Sequence, residues 1–289
     1  MSELDTNNKR FQVSLTKTES RPDLHNMVKA GAISLTKKGL SNHTAKVAMC
    51  VDLSGSMYGR LRSGKVTKLL KQALALGLTF DDDGDIEVFV FGSQAQFLRQ
   101  MELENLDEVA NQFTNIPTMG MTNYGDAINT ITSYYKNLDN GNFEHPVFVN
   151  FITDGDVNEQ YESDTIKAIK DAAKLPIFWS FCGIGANSYL PLNDRSEASD
   201  SSADKPGFFA RLFGLDKRSE PNQSRQTKLA EKDFKFLMHL DDMSGRVVDN
   251  ASFFAVGERD VIKDSVIFEH MHVEYPDWLK EVKAKNILK

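Results

Sequence analysis

Apolar runs that stop at a carboxylate, each trailed by an amphipathic stretch, recur through the middle of this chain and limit its fold more than any other feature. Val47-Ala48-Met49-Cys50-Val51 is continuously apolar and ends at Asp52, as a strand covered on both faces would. Val66, Leu69, Leu70, Ala73, Leu74, Gly77 and Leu78 then recur at helical spacing. Asp81-Asp82-Asp83-Gly84 ends that helix, and Ile86 to Phe91 reads as the next strand. After an irregular stretch around Pro117, Tyr124 to Tyr135 reads as a helix and Val147 to Ile152 as a third buried strand. Thr153-Asp154-Gly155-Asp156 leads into a helix through Ile166, Ile169 and Ala172, and Pro176 to Ile184 is a further strand. This alternation predicts an α/β fold, an open and mostly parallel doubly wound sheet with helices on both faces. Ligands of such sheets sit beyond the carboxyl ends of the strands, where the strand order reverses.

The flanks read differently. Residues 1–43 form an N-terminal extension in which Val13-Ser14-Leu15-Thr16-Lys17 and Ile33-Ser34-Leu35-Thr36-Lys37 alternate in polarity, each predicting a short strand. The main domain spans 44–260. Within it, residues 187–226 are crowded with polar residues around one apolar patch, Phe208, Phe209, Leu212 and Phe213, and read as a flexible insertion. A helix near Leu229 to Leu240, a short strand near Val247 and a helical segment at 261–289 packed on the domain complete the expected order. The insertion leaves the carboxyl end of its strand, so its patch is expected beside the site loops, either as a sticky spot on a disordered tether or as a surface that docks a partner or covers the site as a lid.

With 40% hydrophobic residues among 289, the chain has enough apolar side chains for a large core. A net charge of −7 argues against nucleic acid, whose phosphates call for a basic face. Cys50 and Cys182 lie inside apolar runs with no disulfide framework around them, which suits a reducing compartment. The start lacks the order of a secretion signal, and no apolar run nears the roughly 20 residues of a membrane span. A cytoplasmic location is expected.

Chemistry gathers in three loops. The first strand delivers Asp52-Leu53-Ser54-Gly55-Ser56, the irregular stretch supplies Thr122, and the third strand delivers Asp154. Two carboxylates and three hydroxyls form an all-oxygen set, suited to a hard divalent cation such as Mg²⁺, with Ca²⁺ or Mn²⁺ as alternatives. Each piece has a plainer reading: either serine can cap a following helix, and Asp154 can be a turn residue.

The D-x-S-x-S, Thr and T-D-G series resembles the metal-ion-dependent adhesion site of von Willebrand factor A (VWA) domains. The wording around it is closer still to the VWA domain of TerF-type tellurium-resistance proteins. The matching stretches include Asp52 to Met57, Phe80 to Gly84, Thr122-Asn123-Tyr124, Phe151 to Asp156, Gly245 to Asn250 and Glu274 to Trp278. The resemblance implies a Rossmann-like VWA sheet in which Ser54, Ser56 and Thr122 ligate the metal directly, while Asp52 and Asp154 act directly or through water. It also implies an open metal position filled by an Asp or Glu of a protein partner, among other components of a resistance or stress-response system. Asp156 would weaken the metal's pull on that partner if it turned inward. The insertion at 187–226 departs from the family.

Other motifs fare worse. Asp81 to Asp85 lacks the downstream bidentate Glu of a calcium loop and reads as a solvated turn. His270 and His272 are two apart on a predicted helix, face different ways, and read as surface residues. Ser54 has no G-x-S-x-G elbow, and no phosphate-cradling or dinucleotide loop is present. The expectation is therefore a binding module rather than an enzyme. A metal-assisted hydrolase using the same site is the first alternative, although the site loops lack a His or Glu base. A scaffold binding through the insertion is the second.

Overall fold

A computed structural model describes residues 3–80, 84–138, 140–185, 234–257 and 263–288. Among them, a six-stranded sheet runs in the order β3-β2-β1-β4-β5-β6, with β1 Lys46–Asp52, β2 Ile86–Phe91, β3 Ala95–Met101, β4 Val147–Thr153, β5 Ile177–Ile184 and β6 Ala251–Val256. Every neighbouring pair is parallel except β2 and β3. The chain moves outward from β1 to β2 and β3, then returns to the other side of β1 to build β4, β5 and β6. The strand order thus reverses between β1 and β4, and the carboxyl ends there are Asp52 and Thr153.

Helices cover both faces, as the alternation predicts. In chain order they are α1 Glu3–Thr18, α2 Pro22–Lys37, α3 Tyr58–Arg62, α4 Lys65–Phe80, α5 Leu106–Asn115, α6 Tyr124–Leu138, α7 Glu162–Ala172, α8 Lys235–Asp242, α9 Asp264–Met271 and α10 Tyr275–Ala284. Val47, Met49 and Val51 of β1 enter one core with residues of α2, α4, α5, α9 and α10, while Ala48 and Cys50 enter the other with α6, α7 and α8. The continuous apolar run of β1 is explained by this two-sided burial. Both cysteines are buried free thiols, and burial raises their pKa.

The N-terminal extension is helical, which corrects the two expected strands. In α1 the inward positions are Phe11, Ser14, Leu15 and Thr18; in α2 they are Leu24, Met27, Val28, Gly31, Ser34 and Leu35. Both sets follow the helical period over a longer window than the five-residue alternations sampled. Val13 and Ile33, the apolar starts of those alternations, are exposed. Ser14 Oγ donates to the Leu78 carbonyl at 2.6 Å, tying α1 to the end of α4.

Two further elements occupy the stretch expected to be irregular. The polar strand β3 pairs antiparallel at the sheet edge, and α5 buries Leu106, Val109 and Phe113. The late strand is Ala251–Val256 rather than a segment near Val247, which is exposed in the turn around Gly245. The insertion and its Phe208 to Phe213 patch, like most of the Asp81 to Asp85 turn, lie outside the described residues.

At the amino ends of the central strands, rings from distant segments pack together. Tyr275 lies 5.1 Å from Phe148, 5.4 Å from Phe178 and 5.2 Å from Trp278, and its hydroxyl is 2.8 Å from His43 Nε2. His272 meets Phe80 edge-on at 5.7 Å. This corrects the surface reading of the histidine pair: His272 is fully buried, and His270 stacks on Phe254 at 5.2 Å. Ser34 Oγ lies 3.1 Å from the Phe268 carbonyl and 2.9 Å from His272 Nδ1. The His272 Nε2 is buried and meets no hydrogen-bond partner among the described residues.

Candidate metal centre

Asp52 ends β1 with its carboxylate turned into the protein and 1% exposed. Its Oδ1 accepts the Ser54 N–H at 2.6 Å, and its Oδ2 accepts the Thr153 hydroxyl at 2.7 Å. The first bond spans two residues and folds the chain back sharply after the strand. Ser54 Oγ is 3.1 Å from Ser56 Oγ, and Ser56 donates to Asp154 Oδ1 at 2.7 Å. Four of the five expected ligands, Asp52, Ser54, Ser56 and Asp154, therefore form one string of contacts across the switch point between β1 and β4.

Thr122 reaches this edge through its backbone. Its N–H donates to Asn158 Oδ1 at 2.6 Å, and its carbonyl accepts the Asn158 N–H at 3.2 Å, which ties it to the loop after β4. Met119 N–H donates to the Leu53 carbonyl at 2.7 Å, and Asn123 N–H to the Gly92 carbonyl at 2.9 Å. Gly92 permits this docking, because a Cβ there would overlap Met119. Asn123 Oδ1 also accepts the Asp126 N–H at 3.1 Å and so caps α6 directly behind Thr122. No hydrogen bond joins the Thr122 hydroxyl to the other four side chains among the described residues. Neither serine side chain caps a helix; both face the carboxylates instead.

Burial pushes the Asp52 carboxyl up to about 6, against the hydrogen bonds from Thr153 and Ser54, and the nearby Asp154 charge pushes in the same direction. A buried carboxylate facing a second one gains from a cation, so the donor set fits a hard divalent ion. Among the described residues no group of three or more His, Cys, Asp or Glu side chains converges on a point. The set available is two carboxylates with neutral hydroxyls, which leaves a divalent ion able to attract a further anionic oxygen. Asp156 does not turn inward: its carboxylate accepts the Phe236 N–H at 3.1 Å and the Leu237 N–H at 3.4 Å, at the start of α8. Burial raises its pKa, and those backbone donors oppose the rise.

Several residues of the site escape a reading of the sequence. Thr153 was visible only as a motif letter, yet it bridges Asp52 to the Tyr124 hydroxyl, 3.1 Å away, which in turn donates to the Gly155 carbonyl. Asn158 carries no local signal at all. Arg60 Nη1 sits 2.5 Å from Asp154 Oδ2, an ion pair that only its position one helical turn after Ser56 could have suggested. Asp52 itself belongs to the buried interior.

Comparison with known proteins adds relatives. The chain is 26% identical over 267 residues to the uncharacterized protein YcbR of Bacillus subtilis (strain 168), a match covering 90% of this chain and 88% of YcbR. Similar solved structures include a von Willebrand factor type A protein from Catenulispora acidiphila, at 14% identity and a TM-score of 0.44, covering 79% of this chain and 42% of that one. They also include manganese-loaded TRAP protein of Plasmodium vivax, at 14% identity and a TM-score of 0.43, covering 78% and 74%. This chain thus spans less than half the length of the Catenulispora protein. The family model for the vWA domain found in the TerF C terminus matches residues 44–220 and 225–288, so the chain belongs to the vWA-TerF-like family.

Proposed function

We propose that this chain is a metal-dependent binding module in which Asp52, Ser54, Ser56, Thr122 and Asp154 hold one divalent cation, Mg²⁺ by preference, and present it to an Asp or Glu of a protein partner. The observation that carries this reading is the contact string Asp52–Ser54–Ser56–Asp154 at the strand-order reversal, with a buried carboxylate at its head. When bound, the cation supplies a Lewis-acidic position for one further oxygen. The protein's own residues do the rest. Thr153 and the Ser54 N–H orient Asp52, Asn158 positions the Thr122 backbone, and Asp156 is committed to α8. Binding rather than catalysis fits a hydrogen-bonded set made of carboxylates and neutral hydroxyls, since hydrolysis also requires a general base aimed at a water. Membership of the TerF-type family supports a place in a cytoplasmic tellurium-resistance or stress-response assembly, with other components of that system as partners.

Calorimetric titration of the purified chain with Mg²⁺, Ca²⁺ and Mn²⁺ tests the reading. One equivalent of cation bound by the wild type, and none by Asp52→Asn, is the expected result. Unaltered binding by the variant would remove the site. Steady turnover of a generic phosphoester that depends on the same cation would favour the hydrolase.

A further inference from the structure

The proposed cation site already contains a cation of the protein's own. Arg60 Nη1 lies 2.5 Å from Asp154 Oδ2 and 3.3 Å from the Ser56 carbonyl, while Ser56 donates to the other Asp154 oxygen. Both oxygens of Asp154 are thus engaged, and its side chain is only 2% exposed. The placement of the guanidinium is shaped by the fold. Gly185, just past the carboxyl end of β5, has a φ of +93°, and a Cβ there would overlap the Arg60 guanidinium. A side chain at 185 would be strained and would displace the arginine.

We propose that Arg60 is a built-in counter-ion of Asp154 that competes with the divalent cation for this carboxylate, and whose charge favours an anionic ligand once the metal is bound. This rests on the metal-dependent reading above. A charge count gives it content. Asp52, Asp154 and Arg60 together carry one net negative charge, and without the guanidinium they carry two. A divalent ion brings the site to one net positive charge with Arg60 present and to neutrality without it. Removing the guanidinium therefore strengthens attraction for the metal and weakens attraction for a carboxylate. The two effects have opposite signs. An arginine that merely propped up the loop would weaken both when removed.

The test is calorimetric titration of wild type, Arg60→Gln and Arg60→Lys with Mn²⁺, each with and without sodium acetate as the carboxylate probe. Circular dichroism confirms that each variant is folded. Arg60→Gln is expected to bind Mn²⁺ about tenfold tighter, and acetate should enhance that binding several-fold less than in the wild type. Arg60→Lys keeps the charge and stays close to the wild type in both responses. If the wild type binds Mn²⁺ and Arg60→Gln binds it equally or more weakly, or if metal and acetate responses fall together, the competition is overturned and the metal site stands. If neither protein binds Mn²⁺, the metal-dependent reading falls along with the inference that rests on it.

Discussion

At the carboxyl ends of β1 and β4, a string of Asp, Ser and Thr side chains draws its members mostly from two short loops, residues 52–56 and 153–158. At the amino ends of the same strands, the rings of His43, Phe80, Phe148 and Phe178 meet those of His272, Tyr275 and Trp278, five separate places in the chain. The first region gathers two carboxylates, Asp52 and Asp154, with hydroxyl donors and the Arg60 guanidinium. The second excludes charge so thoroughly that two histidines are held neutral. Burial lowers His272 to about 3 and His43 to about 4. One sheet thus carries a polar string at one edge and a ring cluster at the other, and a change at either is expected to leave the other intact.

The largest expected effect belongs to the ring cluster. Tyr275→Ala deletes a fully buried ring at the centre of the cluster and should cost about 3–5 kcal/mol in denaturant melts, the usual range for a large aromatic truncation. Cation affinity of the remaining folded protein should stay at the wild-type level. A matching loss of cation affinity would show that the two edges are coupled and would break the comparison.

Acid comes next. The unfolded chain protonates these two histidines near pH 6.5, whereas the fold keeps them neutral down to about 4 for His43 and about 3 for His272. Stability from this source is complete above pH 6.5. As pH falls from there toward 3–4, it is lost by up to about 1.4 kcal/mol per pH unit for each histidine. The cause is structural at His272, because Nε2 has no hydrogen-bond partner among the described residues. His272→Gln should lower the melting temperature at pH 7 yet flatten its decline between pH 7 and 5. A slope equal to that of the wild type would assign the acid sensitivity to other groups.

These two regions also differ in how much the sequence disclosed. Asp52, Ser54, Ser56 and Asp154 were legible because contiguous loop residues at strand ends stay neighbours in space. The alternation of buried runs and amphipathic stretches likewise disclosed the sheet, since a strand covered on both faces must be apolar throughout. The ring cluster is not legible as a cluster: Phe80, Tyr275 and Trp278 belong to stretches that carry the family resemblance, yet nothing in them shows that these rings meet. His272 was mistaken for a surface residue because spacing along a helix does not show that other segments enclose it. The terminal helices were misread because Val13-Ser14-Leu15 and Ile33-Ser34-Leu35 fit a period of two over five residues, while the burial pattern from Phe11 to Leu35 follows the helical one. Nothing local to Arg60 discloses its role, because its partner Asp154 lies 94 residues away along the chain.

Smaller effects sharpen the picture at the polar edge. Asp52→Asn preserves most of the volume and the acceptor for the Ser54 N–H, so in chelator its stability should change by about 1 kcal/mol or less. Asp52→Ala leaves the Ser54 N–H without its acceptor and the Thr153 hydroxyl with only the Gly155 carbonyl, and should cost about 1–3 kcal/mol. Chelator melts of the two variants measure the difference, and equal losses would mean that the hydrogen bonds to Asp52 contribute little. Thr122→Ala should weaken cation binding less than either carboxylate variant, since a hydroxyl supplies one ligand bond and no charge. A loss as large as that of Asp52→Asn would give Thr122 a greater role than its backbone-tethered position suggests.

The central claim is that the string at the carboxyl edge is where a divalent ion binds. Anomalous diffraction from crystals grown with Mn²⁺ tests it most directly. One strong peak is expected beside Ser54 and Ser56, within ligand distance of their hydroxyl oxygens and close to Asp52 and Asp154, and no such peak in Asp52→Asn. A peak located elsewhere on the molecule, or an empty edge in crystals that bind Mn²⁺ at another position, would contradict it.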